Sequence, residues 1–592
     1  MGQMTTRRSI LLGAAGAVAS RATMTAEQKP LEEFRYSDVQ LAPGLAQTQF
    51  EQTQSVLLSL NEDSLLKPWR LRAGLPAPGP ELGGWYDELP LEKTESGGHG
   101  FAPAHCFGQW ISALARGYAA EHDPRTKTKL EKILALYEPA ISGRFYKNFR
   151  FPAYNYDKLV IGLIDAQYIA GLPQAGRLLE LTTNAAEPHL PPHALDRDEP
   201  QRRWRASIGE NTSDDYTWDE SYTGAENLYL AYQRGAGDRY KTMARRFLLD
   251  KTYFDPLSEG KDILGNHHAY SFCNALSSAM AAYLVDGSEK HLRAASNAFD
   301  MITHGQSFAT GGWGPNEGFI PAGSDELYES LSKTHRGFET PCGSYAHFKL
   351  TRYLLRVTGN GKYGDSMERV LYNTVLGAKP LQPDGHAFYY SDYQFGGSKT
   401  YFPDAWPCCS GTLPQVAADY RILTYFRDPR GIFVNLYLPS TLNWVSPDGA
   451  QIKLTQAGDY PAGDTISMRL ACSRTSRFAL RLRVPAWSAA TFKINGVPMR
   501  VPVDKGFANL DRKWKNGDQI QLQLASQFRV EPINSRHPNT VALVKGPLVY
   551  FAIGERPISV AREKLLSGNH GLPFRPFTAI ADEHYSAYIE AT

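Results

Sequence analysis

FCNALSSAMAAYLVDGSEKHLRAASNAFDMITH, residues 272–304, carries apolar side chains at Phe272, Leu276, Met280 and Tyr283, breaks at Gly287, and resumes at Leu292, Ala295, Phe299 and Ile302. Steps of three and four residues put each set on one helical face, and the glycine between them lets the chain turn back. The stretch predicts a helical hairpin. Residues 228–247, turning at Gly235-Ala-Gly237, and residues 348–372, turning at Gly359-Asn-Gly361, follow the same plan. Each hairpin has an aromatic before its turn and an aromatic or histidine after it: Tyr232 and Tyr240, Tyr283 and His291, Tyr353 and Tyr363. A tight solenoid would keep a constant period; hairpins separated by long irregular inserts predict an (α/α) toroid over residues 26–430, with the inserts gathered on one face as the place for a site.

Beyond residue 430 the period changes to two. Phe478, Leu480, Leu482 and Val484 alternate with Ala479, Arg481 and Arg483, and Ile520, Leu522 and Leu524 alternate with glutamines. Turns at Ile494-Asn-Gly496 and Lys515-Asn-Gly-Asp518 separate the strands. This predicts an all-β sandwich domain over residues 431–555. Residues 556–592 show no clear period and stand as a C-terminal segment of unknown structure.

A chain of 592 residues exceeds one small core, so several domains are expected. Its net charge of +2 gives no electrostatic footprint for nucleic acid or an anionic membrane. The 32 tyrosines and 10 tryptophans suit sugar ligands as well as they suit a large core. Residues 1–25 have the parts of a twin-arginine export signal: Thr6-Arg7-Arg8-Ser9, an apolar stretch from Ile10 to Ala19, and small residues at Val18-Ala19-Ser20. That stretch is too short to span a bilayer. We therefore expect a periplasmic or extracellular protein with no membrane attachment after signal removal; whether it forms a homodimer is left open.

Export gives Cys106, Cys273, Cys342, Cys408, Cys409 and Cys472 two readings, disulfides or thiols protected by a metal. Thr340 reads as the N-cap of a helix with Pro341 at its first position and Cys342 in its first turn. Thr412 reads as the cap of another helix, with Cys408 and Cys409 a few residues before it. Unpaired N–H groups at such helix starts favour thiolates. Glu339, Cys342, Cys408 and Cys409 could together make a four-coordinate Zn2+ site, although adjacent ligands are unusual. A Cys408–Cys409 disulfide and buried free thiols are the alternatives.

Trp110-Ile-Ser-Ala-Leu-Ala115, Gly311-Gly-Trp-Gly-Pro-Asn-Glu-Gly-Phe319, Glu339-Thr-Pro-Cys342, Leu371-Tyr-Asn-Thr374, Cys408-Cys409, Val434-Asn-Leu-Tyr437 and Gly546-Pro-Leu-Val-Tyr550 resemble, in that order, glycoside hydrolase family 127 and its family 146 relatives. The resemblance covers about residues 40–555. It implies an (α/α)6 barrel followed by β-sandwich modules, and a retaining exo-acting β-L-arabinofuranosidase with a zinc-bound cysteine nucleophile. Carried over by position, Cys408 is the nucleophile, Glu339, Cys342 and Cys409 complete the zinc ligands, Glu317 is the acid/base, and His268 is a sugar-binding histidine. Zinc would keep a thiolate ionised, and a carboxyl across the sugar could protonate the leaving oxygen and then activate water. Asp325, Glu326 and Glu329 are rival carboxylates for that second role.

Two departures stand out. The family usually reads Glu-Thr-Cys, whereas Pro341 here sets Glu339 and Cys342 three apart, which puts the reach of Glu339 to the metal in question. Where relatives carry histidines, this chain has Asp157-Lys158 and Asp219-Glu220-Ser-Tyr222. Carboxylates only accept hydrogen bonds, so Asp157 and Asp219 are expected to contact a different sugar or the same sugar in another pose. Trp85, His105 and Trp110 are expected at the pocket mouth. Two rival readings remain: an (α/α)6 hydrolase or lyase that works on an acidic glycan through Asp157 and Asp219, and a non-catalytic carbohydrate-binding protein.

Overall fold

Helices pair into an inner and an outer layer. In a computed structural model that describes residues 29–84, 101–147, 151–197, 199–209, 219–568 and 571–592, the main helices are α1 (Leu45–Ser59), α2 (Phe101–Glu121), α3 (Pro124–Tyr137), α4 (Pro152–Tyr168), α5 (Gln174–Ala186), α6 (Ala225–Gln233), α7 (Asp238–Arg246), α8 (Ala269–Asp286), α9 (Glu289–Gly305), α10 (Thr340–Thr358), α11 (Lys362–Asn373) and α12 (Cys409–Thr424). The even-numbered helices pack one against the next, and α12 returns to α2 and closes the ring. Each odd-numbered helix lies outside its inner partner, α1 covering α12. This is the (α/α)6 barrel. The expected export signal and Trp85 lie outside the described residues.

Composition explains which helices face inward. Every residue of α12 is buried, as are Ala269 to Ala282 in α8, whereas α9 buries one stripe, including Leu292, Ala295, Phe299 and Ile302. A helix apolar all round belongs inside, and a helix with one stripe belongs on the rim. Gly287 ends α8 in the left-handed region at φ 69°, where a side chain would be strained. Where α2 meets α4, Gly108 and Gly162 let the backbones touch, since a Cβ on either would strike the facing chain. Buried ion pairs tie the inner helices: Arg116 of α2 reaches Asp165 of α4 and Asp419 of α12, its two neighbours, each at 2.9 Å, and Lys349 of α10 reaches past α8 to Glu226 of α6.

Three sheets follow the barrel. One has the order Glu32–Glu33, Tyr425–Asp428, Gly431–Val434, Ser476–Arg483, Phe507–Trp514, Val503–Asp504. A second runs Val497–Met499, Ala490–Ile494, Gln519–Leu524, Thr465–Cys472, Gln451–Ala457, Ser440–Val445, Val39–Leu41. They meet where Trp444 of the second contacts Phe478 of the first, ring centroids 5.2 Å apart. The alternation read at Ile520, Leu522 and Leu524 is kept, with those residues buried and the glutamines exposed. In Ser476–Arg483 it is lost because the second face is covered too: Arg483 pairs with Glu368 of α11 at 2.6 Å. Both sheets also take a strand from before the barrel, within residues 32–41.

The third sheet gathers residues from both sides of position 555: Ser559–Val560, Ile589–Ala591, Thr540–Lys545, Leu548–Ile553 and Phe574–Pro576, with Phe528–Pro532 and Tyr585–Ser586 alongside. It packs on α11. Asn373 there donates to Pro547 O (2.8 Å) and accepts from Val549 N (2.7 Å), which joins two of the motifs quoted above. The C-terminal segment also braces the loop that leads from Tyr390 to Cys408. Tyr585 N donates to Gly397 O at 2.9 Å, and Lys399 Nζ donates to the carbonyls of Phe577 and Ile580 at 2.7 Å each. Among the described residues no helix is long and apolar enough to cross a membrane.

Candidate active site

Two helix starts bring the sulfurs together. Glu339 is the N-cap residue of α10, with Pro341 within its first two positions, and its carboxylate makes no capping bond to the helix. A proline there gives up an N–H that has no helical partner in any case. Cys342 follows in the first turn. The second helix starts earlier than a cap at Thr412 would require: Cys408 is the N-cap residue of α12 and Cys409 its first residue. Thr412 instead lies in the first turn with its hydroxyl 3.1 Å from Cys342 Sγ. Trp406, at φ 53°, makes the approach to this start in the left-handed region.

Cys342 Sγ lies 3.3 Å from Cys408 Sγ and 3.5 Å from Cys409 Sγ, and Glu339 Oε1 lies 3.5 Å from Cys408 Sγ. One donor atom from each of these four residues falls within 4.8 Å of all the others. Pro341 therefore does not carry Glu339 out of reach. All six cysteines are free and buried, so neither a Cys408–Cys409 disulfide nor any other is formed.

The donor set fits a metal on two counts. Three sulfurs and a carboxylate oxygen suit a borderline-soft divalent ion, and Glu339 Oε2 is buried without a hydrogen-bond partner, a costly state for an acceptor. The electrostatics agree. Burial pushes Glu339, Cys342 and Cys409 up, helped by the neighbouring Cys408 sulfur. Burial opposes ionisation of Cys408 too, but the Cys342 and Cys409 thiols, His105 and the Tyr389 hydroxyl, 3.6 Å away, hold it well below the ordinary thiol range. One sulfur of the three is thus favoured as thiolate.

Beside this cluster sits a second group. His268 Nε2 is 3.4 Å from Glu317 Oε2 and 3.9 Å from Glu339 Oε2. Glu317 is delivered by a loop in which Gly314, Asn316 and Glu317 all have positive φ, at 75°, 54° and 63°. Left-handed backbone at two residues with side chains stores about 1 kcal/mol or more each. The surroundings hold it, with Asn316 N donating to Arg336 O (2.9 Å) and Thr334 Oγ1 donating to Asn316 Oδ1 (2.6 Å). Tyr390 OH donates to Glu317 Oε1. Burial would raise the Glu317 carboxyl, but His268 first and then Tyr390 and Tyr389 bring it below the usual range. Asp325, a rival by sequence, pairs instead with Arg536 at 2.8 Å and Asn534 at 3.3 Å.

The remaining expected residues divide. His105 is fully buried on α2 beside Tyr154, ring centroids 5.8 Å apart, and close enough to favour the Cys408 thiolate. Trp110 is buried and donates to Ser410 O at 3.1 Å, which fixes α2 against α12 rather than lining a mouth. Asp157 accepts from Asn227 Nδ2 (2.6 Å) and Thr223 Oγ1 (3.2 Å) and pairs with Lys158 Nζ (2.9 Å). Asp219 accepts from the backbone N–H groups of Ala153 (3.1 Å) and Tyr154 (2.8 Å) at the start of α4. Both carboxylates are buried and point at protein partners. Sequence reasoning passed over Glu220, Tyr389 and Tyr390. The aromatic run Phe388-Tyr-Tyr390 ahead of the cysteine pair was the one available signal.

A family model described as the beta-L-arabinofuranosidase GH127 catalytic domain matches residues 38–421, and one described as the GH127 middle domain matches residues 431–526. Among solved structures, the chain is similar to a GH127 beta-L-arabinofuranosidase from Geobacillus stearothermophilus T6, at 17% identity over 94% of this chain and 100% of that one, with a TM-score of 0.68. It is similar also to another GH127 beta-arabinofuranosidase, at 16% identity over 95% and 98%, with a TM-score of 0.73. A search of curated proteins finds no match. At such identities the structural likeness speaks for the fold.

Proposed function

The chain belongs to glycoside hydrolase family 127, and from that premise we propose that it is a retaining, exo-acting β-L-arabinofuranosidase in which Cys408 is the nucleophile and Glu317 the acid/base. The observation that carries the reading is geometric: the Cys408 sulfur lies 3.5 Å from Glu339 Oε1, and His268 Nε2, 3.9 Å from Glu339 Oε2 and 3.4 Å from Glu317 Oε2, joins the sulfur cluster to the second carboxylate. Glu339, Cys342, Cys408 and Cys409 are the residues that would hold Zn2+. When bound there, zinc supplies positive charge that keeps the thiolates ionised at neutral pH.

In the first step Cys408 Sγ attacks the anomeric carbon and the C–O bond breaks. Its electron pair goes to the leaving oxygen, which takes the proton held between Glu317 and His268. In the second step Glu317 removes a proton from water, the water oxygen attacks the same carbon, and the C–S electron pair returns to sulfur. Two inversions leave the anomeric configuration retained. Tyr390 and His268 orient Glu317, while Tyr389 steadies the sulfur.

The reading in which Asp157 and Asp219 work on an acidic glycan draws no support from their geometry, since both serve the α4 region. The substrate is a plant or microbial glycan, and export by the twin-arginine signal would deliver the enzyme to it. Incubation with a panel of β-L-arabinofuranosides, pyranosides and acidic sugars tests the activity, with metal content measured on the same preparation. Release of arabinose with retained configuration and stoichiometric zinc is expected. Turnover of a pyranoside alone, or full activity in a metal-free preparation, would overturn the proposal.

A further inference from the structure

The sequence pointed to Asp219 as a residue facing the substrate, yet its neighbour Glu220 is the one that enters the site. Glu220 is only 1% exposed and precedes the short helical turn Ser221–Thr223. Burying a carboxylate demands a fixed partner, and Arg197 supplies it, with Nε 2.9 Å from Glu220 Oε1. Arg197 and the surrounding hydrogen bonds hold the Glu220 carboxyl down at about 2 despite its burial. The same oxygen also meets His268, whose Nδ1 is 3.3 Å from Glu220 Oε1 and 2.6 Å from Ser271 Oγ.

His268 needs such a holder. It is the N-cap residue of α8, but its side chain makes no capping bond to the backbone of the helix, so the ring is fixed through Nδ1 by Ser271 Oγ, one turn on, and by Glu220. An imidazole presents two chemically different nitrogens, and the bond made by one decides what the other offers. Here the far nitrogen, Nε2, is the one 3.4 Å from Glu317. Arg197, Glu220, His268, Glu317 and Tyr390 thus form a chain in which each group touches the next.

We propose that Glu220 is a positioning residue: by holding His268 through Nδ1 it aims Nε2 at Glu317 and so sets the acid/base for both halves of the reaction. The inference rests on the reading of Glu317 as acid/base. Glu220 acts through His268, so its loss should leave substrate binding intact and slow the steps that need a placed proton. A displacement of about 1 Å at such a group costs up to about a hundredfold in rate.

The test is Glu220→Gln, read by kinetics and by crystallography. The glutamine keeps the size and an acceptor oxygen but removes the charge that pairs with Arg197. We expect kcat on an alkyl β-L-arabinofuranoside to fall roughly ten- to a hundredfold with KM changed by less than about threefold, partial recovery in Glu220→Asp, and a rotated His268 ring in the crystal structure. Arg197→Gln, at a partly exposed position, should show the same split in weaker form and serves if Glu220→Gln does not fold. A KM rise at constant kcat would make Glu220 a sugar-binding group and overturn the proposal, as would wild-type kcat. If the wild-type protein hydrolyses no furanoside, the functional reading fails; the His268 orientation in the variant crystal still decides the positioning, and an unmoved ring refutes it.

Discussion

Replacing Asp219 with asparagine separates a structural carboxylate from a sugar-binding one. In the fold, Asp219 closes the start of α4 by accepting from two buried N–H groups at 3.1 and 2.8 Å. Asparagine can accept with one oxygen only, so one N–H loses its acceptor, at a cost of about 1–3 kcal/mol. Loss of the negative charge at a helix N-terminus removes about 0.3–1 kcal/mol more, and up to about 2 where the site is buried. The variant should therefore be less stable by about 2–4 kcal/mol. With an unfolding entropy of about 2.1 cal/mol/K per residue over 592 residues, about 3 kcal/mol lowers the thermal midpoint by about 2–3 °C when the chain melts as one unit. Calorimetry gives the midpoint, and initial rates on an aryl β-L-arabinofuranoside give KM. A lowered midpoint with KM close to wild type is expected; an unchanged midpoint with a large rise in KM would refute the reasoning.

Cys408→Ser and Glu317→Gln should each lose at least about a thousandfold in kcat/KM if they carry the chemistry, and near wild-type turnover in either would remove that residue from its role. Burial pushes His347 down to about 3, while an unfolded histidine titrates near 6.5. Between those values the unfolded chain binds the extra proton, so stability is lost as pH falls from about 6.5 towards 3, by up to about 1.4 kcal/mol per pH unit. His347→Gln should flatten that loss in urea midpoints taken across the range, and parallel curves would count against it. Lys349→Met strands the buried Glu226 carboxylate and should cost about 3–5 kcal/mol. The double variant with Glu226→Gln should recover most of it in the same denaturation assay, and no recovery would mean the pair is not what holds α6 to α10.

The barrel was legible because its signal is local. A helix repeats its apolar residues every three or four positions, so residues 272–304 declare α8, its turn and α9 with no knowledge of the rest. The strands at 32–41 and 559–591 were not legible, because they are two or three residues long and exist only through partners far along the chain: Glu33 opposite Phe426, Val560 opposite Ala591. The cysteine cluster was found from its motifs, yet its reach past Pro341 was not. That depends on Glu339 sitting at the N-cap position with its carboxylate unused by the helix, a matter of backbone direction and not of spacing. Asp219 and Glu220 show the same limit. In a segment without period, nothing in the sequence says which of two adjacent carboxylates turns inward.

Mass spectrometry of the Glu317→Gln protein tests the central claim, that sulfur attacks carbon. An activated aryl β-L-arabinofuranoside needs no proton donor to lose its leaving group, so the first step proceeds in this variant while the second, which needs the base, stalls. The account predicts a protein heavier by one pentosyl group, with the addition located on Cys408. Addition at a carboxylate, or turnover with no covalent species at any time, would contradict it.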